Sequence, residues 1–84
     1  MDRSTILDAI NEILAEILLN YDSSHVNEDT MVVNISPELD SLTVQELILG
    51  LENRYEMELD GGVITAKTKV TDIVDLVLQA QTGG

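Results

Sequence analysis

Three blocks of this 84-residue chain repeat apolar side chains at three- and four-residue steps, and that spacing restricts the fold more than any other feature. The first block, residues 5 to 20, carries Ile6, Ile10, Ile13, Leu14 and Ile17, with Tyr21 just beyond. Ser4 or Thr5 suits its N-cap, and Asp8 falls in the first turn, where a negative charge suits the helix dipole. The second runs from Ser41 to about Glu56 behind Asp40, a good N-cap. Its inward stripe is Val44, Leu47, Ile48, Leu51 and Tyr55; Gln45, Glu46, Leu49, Glu52, Asn53 and Glu56 face outward. Leu42 and Leu49 are apolar residues that this stripe does not bury. The third begins at Thr68 or Lys69 and turns Val70, Ile73, Val74, Val77 and Leu78 inward.

The connections are equally legible. Asp22 to Thr30 is polar and reads as loop. Met31-Val32-Val33-Asn34-Ile35 has β-branched residues but no second strand to pair with, so it reads as a loop closing the bottom of the core. Pro37 excludes helix at Ser36. Asp60-Gly61-Gly62 breaks the chain, Val63 to Ala66 has room for one helical turn, and the tail Thr82-Gly83-Gly84 frays. Together these predict an all-α domain spanning residues 1–84. It is a four-helix bundle of three main helices plus a short third one, with a long first loop. Gly50 lies mid-helix at a cost of about 1 kcal/mol relative to alanine. Close helix packing explains it better than space for a cargo.

Composition narrows the function. Sixteen acidic residues against four basic ones give a formal charge of −12. Nucleic acids and anionic membranes are poor partners for such a surface, since both are bound through Lys and Arg. Basic patches on other proteins are the natural ones; the plainer reading of the charge is a solvated surface. A chain this short buries roughly 60–65% of its unfolded surface, too little for a deep active site of its own. Without cysteine it has no disulfide and no thiolate metal ligand, and any thiol chemistry must come from an added group. No EF-hand spacing is present, so no metal site is expected. No secretory signal and no apolar run near the ~18 residues of a membrane span are visible. A soluble, cytoplasmic monomer is expected.

Asp40-Ser41-Leu42 places a hydroxyl at a helix start. As a hydrolase nucleophile Ser41 would need a base and a group to orient it. The only histidine, His25, lies in the polar loop, where it reads as exposed, and no Gly-x-Ser-x-Gly elbow is present. As an attachment point Ser41 needs only exposure and a fixed position, because a separate transferase supplies the catalysis. The free N–H groups and positive dipole end of a first helical turn would favour an attached phosphate.

The stretch Leu39-Asp40-Ser41-Leu42, the helix Thr43-Val44-Gln45-Glu46-Leu47-Ile48-Leu49-Gly50-Leu51-Glu52 and the segment Arg54-Tyr55-Glu56-Met57-Glu58-Leu59 resemble the acyl carrier proteins. The spacing onward to Thr68 and Val70 agrees, so the likeness spans nearly the whole chain. The resemblance implies a 4′-phosphopantetheine arm, derived from coenzyme A, on Ser41, with acyl groups held as thioesters on its thiol. The chain would be a non-catalytic carrier, modified by a phosphopantetheinyl transferase and docking to ketosynthases, acyltransferases or similar enzymes. Asp40, Leu42, Glu46, Leu49, Glu52 and Glu56 would form the docking surface, and the acyl chain could lie between helices. Asp40 and the charge favour an acyl carrier over the peptidyl carriers of nonribosomal peptide synthesis, the nearest alternative. An unmodified acidic interaction domain is the other.

Departures from the family pattern sharpen the expectation. Pro37-Glu38-Leu39 stands where Leu-Gly-x is common, and Met31 and Val33 are the candidates for the large apolar anchor of the first loop. Thr43, Asn53 and Arg54 occupy positions often acidic in carriers of general fatty acid synthesis. That points to a specialised, polyketide-type carrier, freestanding in that the chain starts at Met1.

Overall fold

Helix α1 (Arg3–Ile17) takes its start from Asp2, whose carbonyl accepts the Ile6 amide at 3.2 Å, and not from Ser4 or Thr5. The computed structural model describes residues 2–18, 21–36, 39–60, 62, 64–65 and 67–82, without the side chains of His25 and Thr82. The earlier start leaves Asp8 in the second turn and no acidic residue in the first. Its physical cause is Arg3. The guanidinium bonds Glu28 Oε1 at 2.7 Å, Asp75 Oδ1 at 2.6 Å and Thr71 Oγ1 at 2.7 Å. These three hydrogen bonds tie the start of α1 to the first loop and to the last helix, and the first two hold the arginine's pKa above its usual value. At the other end the Leu18 amide closes the helix on Leu14 O at 2.8 Å, short of the expected residue 20.

Helix α2 (Ser41–Tyr55) follows the expected bounds. Glu56 terminates it in the left-handed region at φ 51°, a conformation that an L side chain adopts at a cost. Helix α3 (Val70–Thr82) opens with half of a capping box: the Lys69 amide donates to Asp72 Oδ2 at 3.0 Å.

Helix α1 packs against both α2 and α3. The three stripes meet as expected: Ile6, Ile10, Leu14, Leu47, Leu51, Val70, Ile73, Val74 and Val77 are fully buried. Ala9 joins them, while Ile17, Tyr21, Tyr55 and Leu78 pack at the edge. Tyr21 donates its hydroxyl to Asn11 Oδ1 at 2.6 Å, and partial burial beside Asp22 pushes its pKa up to about 12.

Gly50 confirms the close approach of two helices. A Cβ placed there would stand 3.0 Å from Ile13 Cγ2 and 3.3 Å from Ile13 Cδ1.

The first loop differs from expectation in one respect. The β-branched run does have a partner: Met31 forms an isolated antiparallel bridge with Lys69. Flanking bonds are Val32 N to Thr68 O at 2.7 Å and Val70 N to Thr30 O at 2.9 Å. The 3₁₀ turn Val32–Asn34 follows at once and sends successive side chains apart. Val32 is buried at 1% exposure and Val33 is 49% exposed. The loop anchor is therefore Val32, and not Met31 or Val33. Another 3₁₀ turn, Ser23–His25, begins where Asp22 accepts the Ser24 amide at 2.9 Å.

Three α-helices are present among the described residues. The short fourth one, expected over residues 63–66, is not seen: Ile64 and Thr65 lie in neither helix nor strand, and Val63 and Ala66 fall outside the described residues. Ile64 is instead a buried loop residue of the core. The expectations for Pro37, for Gly61 in the Asp60-Gly61-Gly62 break, and for Gly83 and Gly84 also lie outside the described residues, as does that for the His25 side chain.

Candidate functional site

Asp40 fixes the start of α2. Its backbone is extended, at φ −115° and ψ −176°, and its Oδ1 accepts the Thr43 amide at 2.8 Å and the Thr43 hydroxyl at 2.9 Å. The Thr43 amide and hydroxyl hold the Asp40 carboxyl below the usual carboxylate range; the amides of Asp40 and Leu42 add to this and desolvation opposes it. Thr43 is thus the partner that makes the cap, a role its place among the departures did not show.

The next residue, Ser41, is the first of the helix and is exposed. Asp40 Oδ1 takes the Thr43 amide, one of the first-turn N–H groups that were expected to attract a phosphate.

Along the outer face, Leu42 and Leu49 are 67% and 56% exposed. They stand seven residues apart, about 10 Å along the axis. Glu46 is exposed between them. Glu52 is only half exposed, because its Oε2 accepts the Leu59 amide at 2.9 Å and secures the chain leaving the helix. Glu56 is exposed at the helix end. The face therefore unites Leu42, Glu46 and Leu49, with Glu52 committed in part to structure. Arg54 turns away from it: the guanidinium donates to Ala9 O at 3.4 Å and pairs with Glu12 on α1.

Beside Ser41 lies a cavity of about 100 Å³. Asp40, Ser41, Val44 and Gln45 form one wall, and Val32, Leu39, Ile64 and Thr65 form the other. Nothing in the residue pattern points to Ile64 or Thr65 in this position. Ile64 follows Val63 after the glycines with no periodic spacing to mark it as inward, and only tertiary packing brings it against α2. No group of residues suited to a metal ion is found among the described residues. Nor, among these residues, is any helix long and apolar enough to cross a membrane.

Fold and site together define a small helical bundle that presents one fixed, exposed serine at a helix start beside an apolar cavity. The acyl carrier protein of Rubrobacter xylanophilus is 38% identical to this chain over 82 residues, covering 98% of the chain and 99% of that protein. The chain belongs to the acyl carrier protein family and is a non-catalytic carrier. No protein-family profile and no solved structure matches it.

Proposed function

We propose that this chain carries acyl intermediates on a 4′-phosphopantetheine arm attached to Ser41 and presents them to successive partner enzymes. The observation that carries the reading is the exposed Ser41 hydroxyl, held at the first position of α2 by the Asp40 cap. A phosphopantetheinyl transferase would supply the base that takes the hydroxyl proton. Serine Oγ would then form the new bond to phosphorus as the nucleotide part of coenzyme A leaves. When bound, the arm supplies the thiol that holds acyl groups as thioesters, a group that a chain without cysteine lacks.

The chain's own residues do the rest. Asp40 and Thr43 position the serine, while Leu42 and Leu49 offer apolar anchors, which dominate interface centres. Glu46, with Glu56 and in part Glu52, steers a basic patch of a ketosynthase, acyltransferase or similar enzyme. The cavity beside Ser41 is smaller than the roughly 150 Å³ that holds a benzene ring. In this state it admits only the first few atoms of a cargo. The modest acidity of the outer face, with Thr43 engaged in the cap and Asn53 at the far end, favours a dedicated acyl pathway of the polyketide type in the cytoplasm.

The test is incubation with coenzyme A and a broad phosphopantetheinyl transferase, followed by intact mass. One phosphopantetheine should be gained, on Ser41. Ser41→Ala should fold and gain none; loading of that variant at another serine overturns the assignment.

A further inference from the structure

The walls of the cavity beside Ser41 are largely apolar. Val32 from the first loop, Val44 from α2 and Ile64 from the chain ahead of α3 are all buried, and Leu39 is half-buried. At about 100 Å³ the space falls short of the roughly 150 Å³ that takes a benzene ring. A dry apolar space of that size suits a small branched group. Ser41 is itself one of the lining residues, so whatever is joined to its hydroxyl begins beside the cavity.

The polar residues of the lining differ in what they have left to offer. Asp40 Oδ1 accepts the Thr43 amide and hydroxyl. Thr65 Oγ1 accepts the Lys67 amide at 3.2 Å and lies 3.3 Å from Thr68 Oγ1. Gln45 is exposed, and its side chain bonds nothing among the described residues. It stands one turn beyond Ser41 on the same helix, about 6 Å along the axis. Its carboxamide is neutral and carries both donors and an acceptor. It can therefore face a group near a phosphate without the repulsion a carboxylate would bring.

The order of groups in a 4′-phosphopantetheine arm matches this layout. One methylene beyond the phosphate ester stands a quaternary carbon with two methyls, and beside it a hydroxyl. The acyl end lies at the far tip. We propose that the cavity seats the two methyls at the root of the arm, and that Gln45 is a positioning residue whose carboxamide hydrogen-bonds the hydroxyl beside them. The inference rests on Ser41 being the attachment point. It gives the cavity to the arm first, so a cargo enters only by displacing the methyls.

The experiment loads the whole chain from coenzyme A carrying carbon-13 in those two methyls and confirms Ser41 by mass. With no acyl group on the thiol, no cargo competes for the space. The two methyl signals should separate further than in free coenzyme A and show NOEs to the methyls of Val44 and Ile64. Gln45→Ala should melt close to the wild type before loading, yet weaken those NOEs after it. Loss of one net hydrogen bond lowers the ratio of seated to free arm by about two- to tenfold. Gln45→Glu, of the same size but charged, should weaken them at least as much. Failure of the wild type to gain mass at Ser41 removes the attachment and the seat with it. Loading at Ser41 with no NOE from the methyls to the cavity residues overturns the seat alone. Cavity NOEs of wild-type strength in loaded Gln45→Ala overturn the role given to Gln45.

Discussion

Asp40 acts on stability and on placement through one carboxylate. Its folded-state pKa is depressed, chiefly by the Thr43 amide and hydroxyl, so its contribution is present above the unfolded value near about pH 4. It is lost as the pH falls from there through the folded value. Asp40→Ala should melt lower than the wild type at neutral pH, and the gap should close on acidification below about pH 4. Asp40→Asn, which keeps a good cap without a titrating charge, should melt close to the wild type at neutral pH and lack this acid-dependent component. Thermal melts across the pH range check both. Gly50 makes a second residue-scale case. Alanine would gain about 1 kcal/mol of helix propensity but would press on Ile13 from 3.0 Å. Overpacking of this kind costs roughly 1–3 kcal/mol, so Gly50→Ala should lose about 1 kcal/mol net. The loss should shrink in an Ile13→Ala background when measured as a double-mutant cycle by denaturant unfolding.

Between elements, a few polar contacts set the arrangement that the apolar stripes leave open. Arg3 joins α1, the first loop and α3 through Glu28, Asp75 and Thr71. Arg3→Ala should lower the melting temperature, and Arg3→Lys should recover only part of it, since an ammonium lacks the planar fork that reaches three acceptors. Equal melting of Arg3→Lys and the wild type would show that charge alone suffices. The outer face of α2 makes a different prediction. Glu46→Lys should slow transfer by partner enzymes mainly through the association rate, leave the melting temperature nearly unchanged, and weaken the salt dependence of binding. Leu42→Ala should raise dissociation instead, because truncating an apolar anchor removes desolvated contact. Unchanged kinetics in both variants would place docking on another face.

At the scale of the molecule, charge is the dominant feature. Two of the four cations are drawn into ion pairs at Glu28, Asp75 and Glu12, which leaves most of the acidic surface without a salt-bridge partner among the described residues. A domain of this size has only about 0.05–0.15 kcal/mol of stability per residue, and self-repulsion weighs on it. Added salt should raise the melting temperature by screening. Mild acidification toward the sequence pI near 4.1 should raise it too, until capping carboxylates such as Asp40 protonate. A melting temperature indifferent to salt and highest well above neutral pH would show that repulsion does not limit this fold.

The three helices, their inward faces, the Asp40 cap, the exposure of Leu42 and Leu49 and the likeness to acyl carriers are all legible in the residue order. Each of these is local: helical spacing sorts buried from exposed side chains, and a cap is made within four residues. The rest was set by packing. It chose Val32 over Val33 as the loop anchor, because a single bridge to Lys69 and a 3₁₀ turn set which side chain faces inward. It turned Arg54 toward α1 and bound Glu52 to the Leu59 amide. It also set Ile64 and Thr65 against Ser41 to make the cavity. Those contacts join residues far apart in the chain, and no periodicity encodes which of many similar loop side chains will meet.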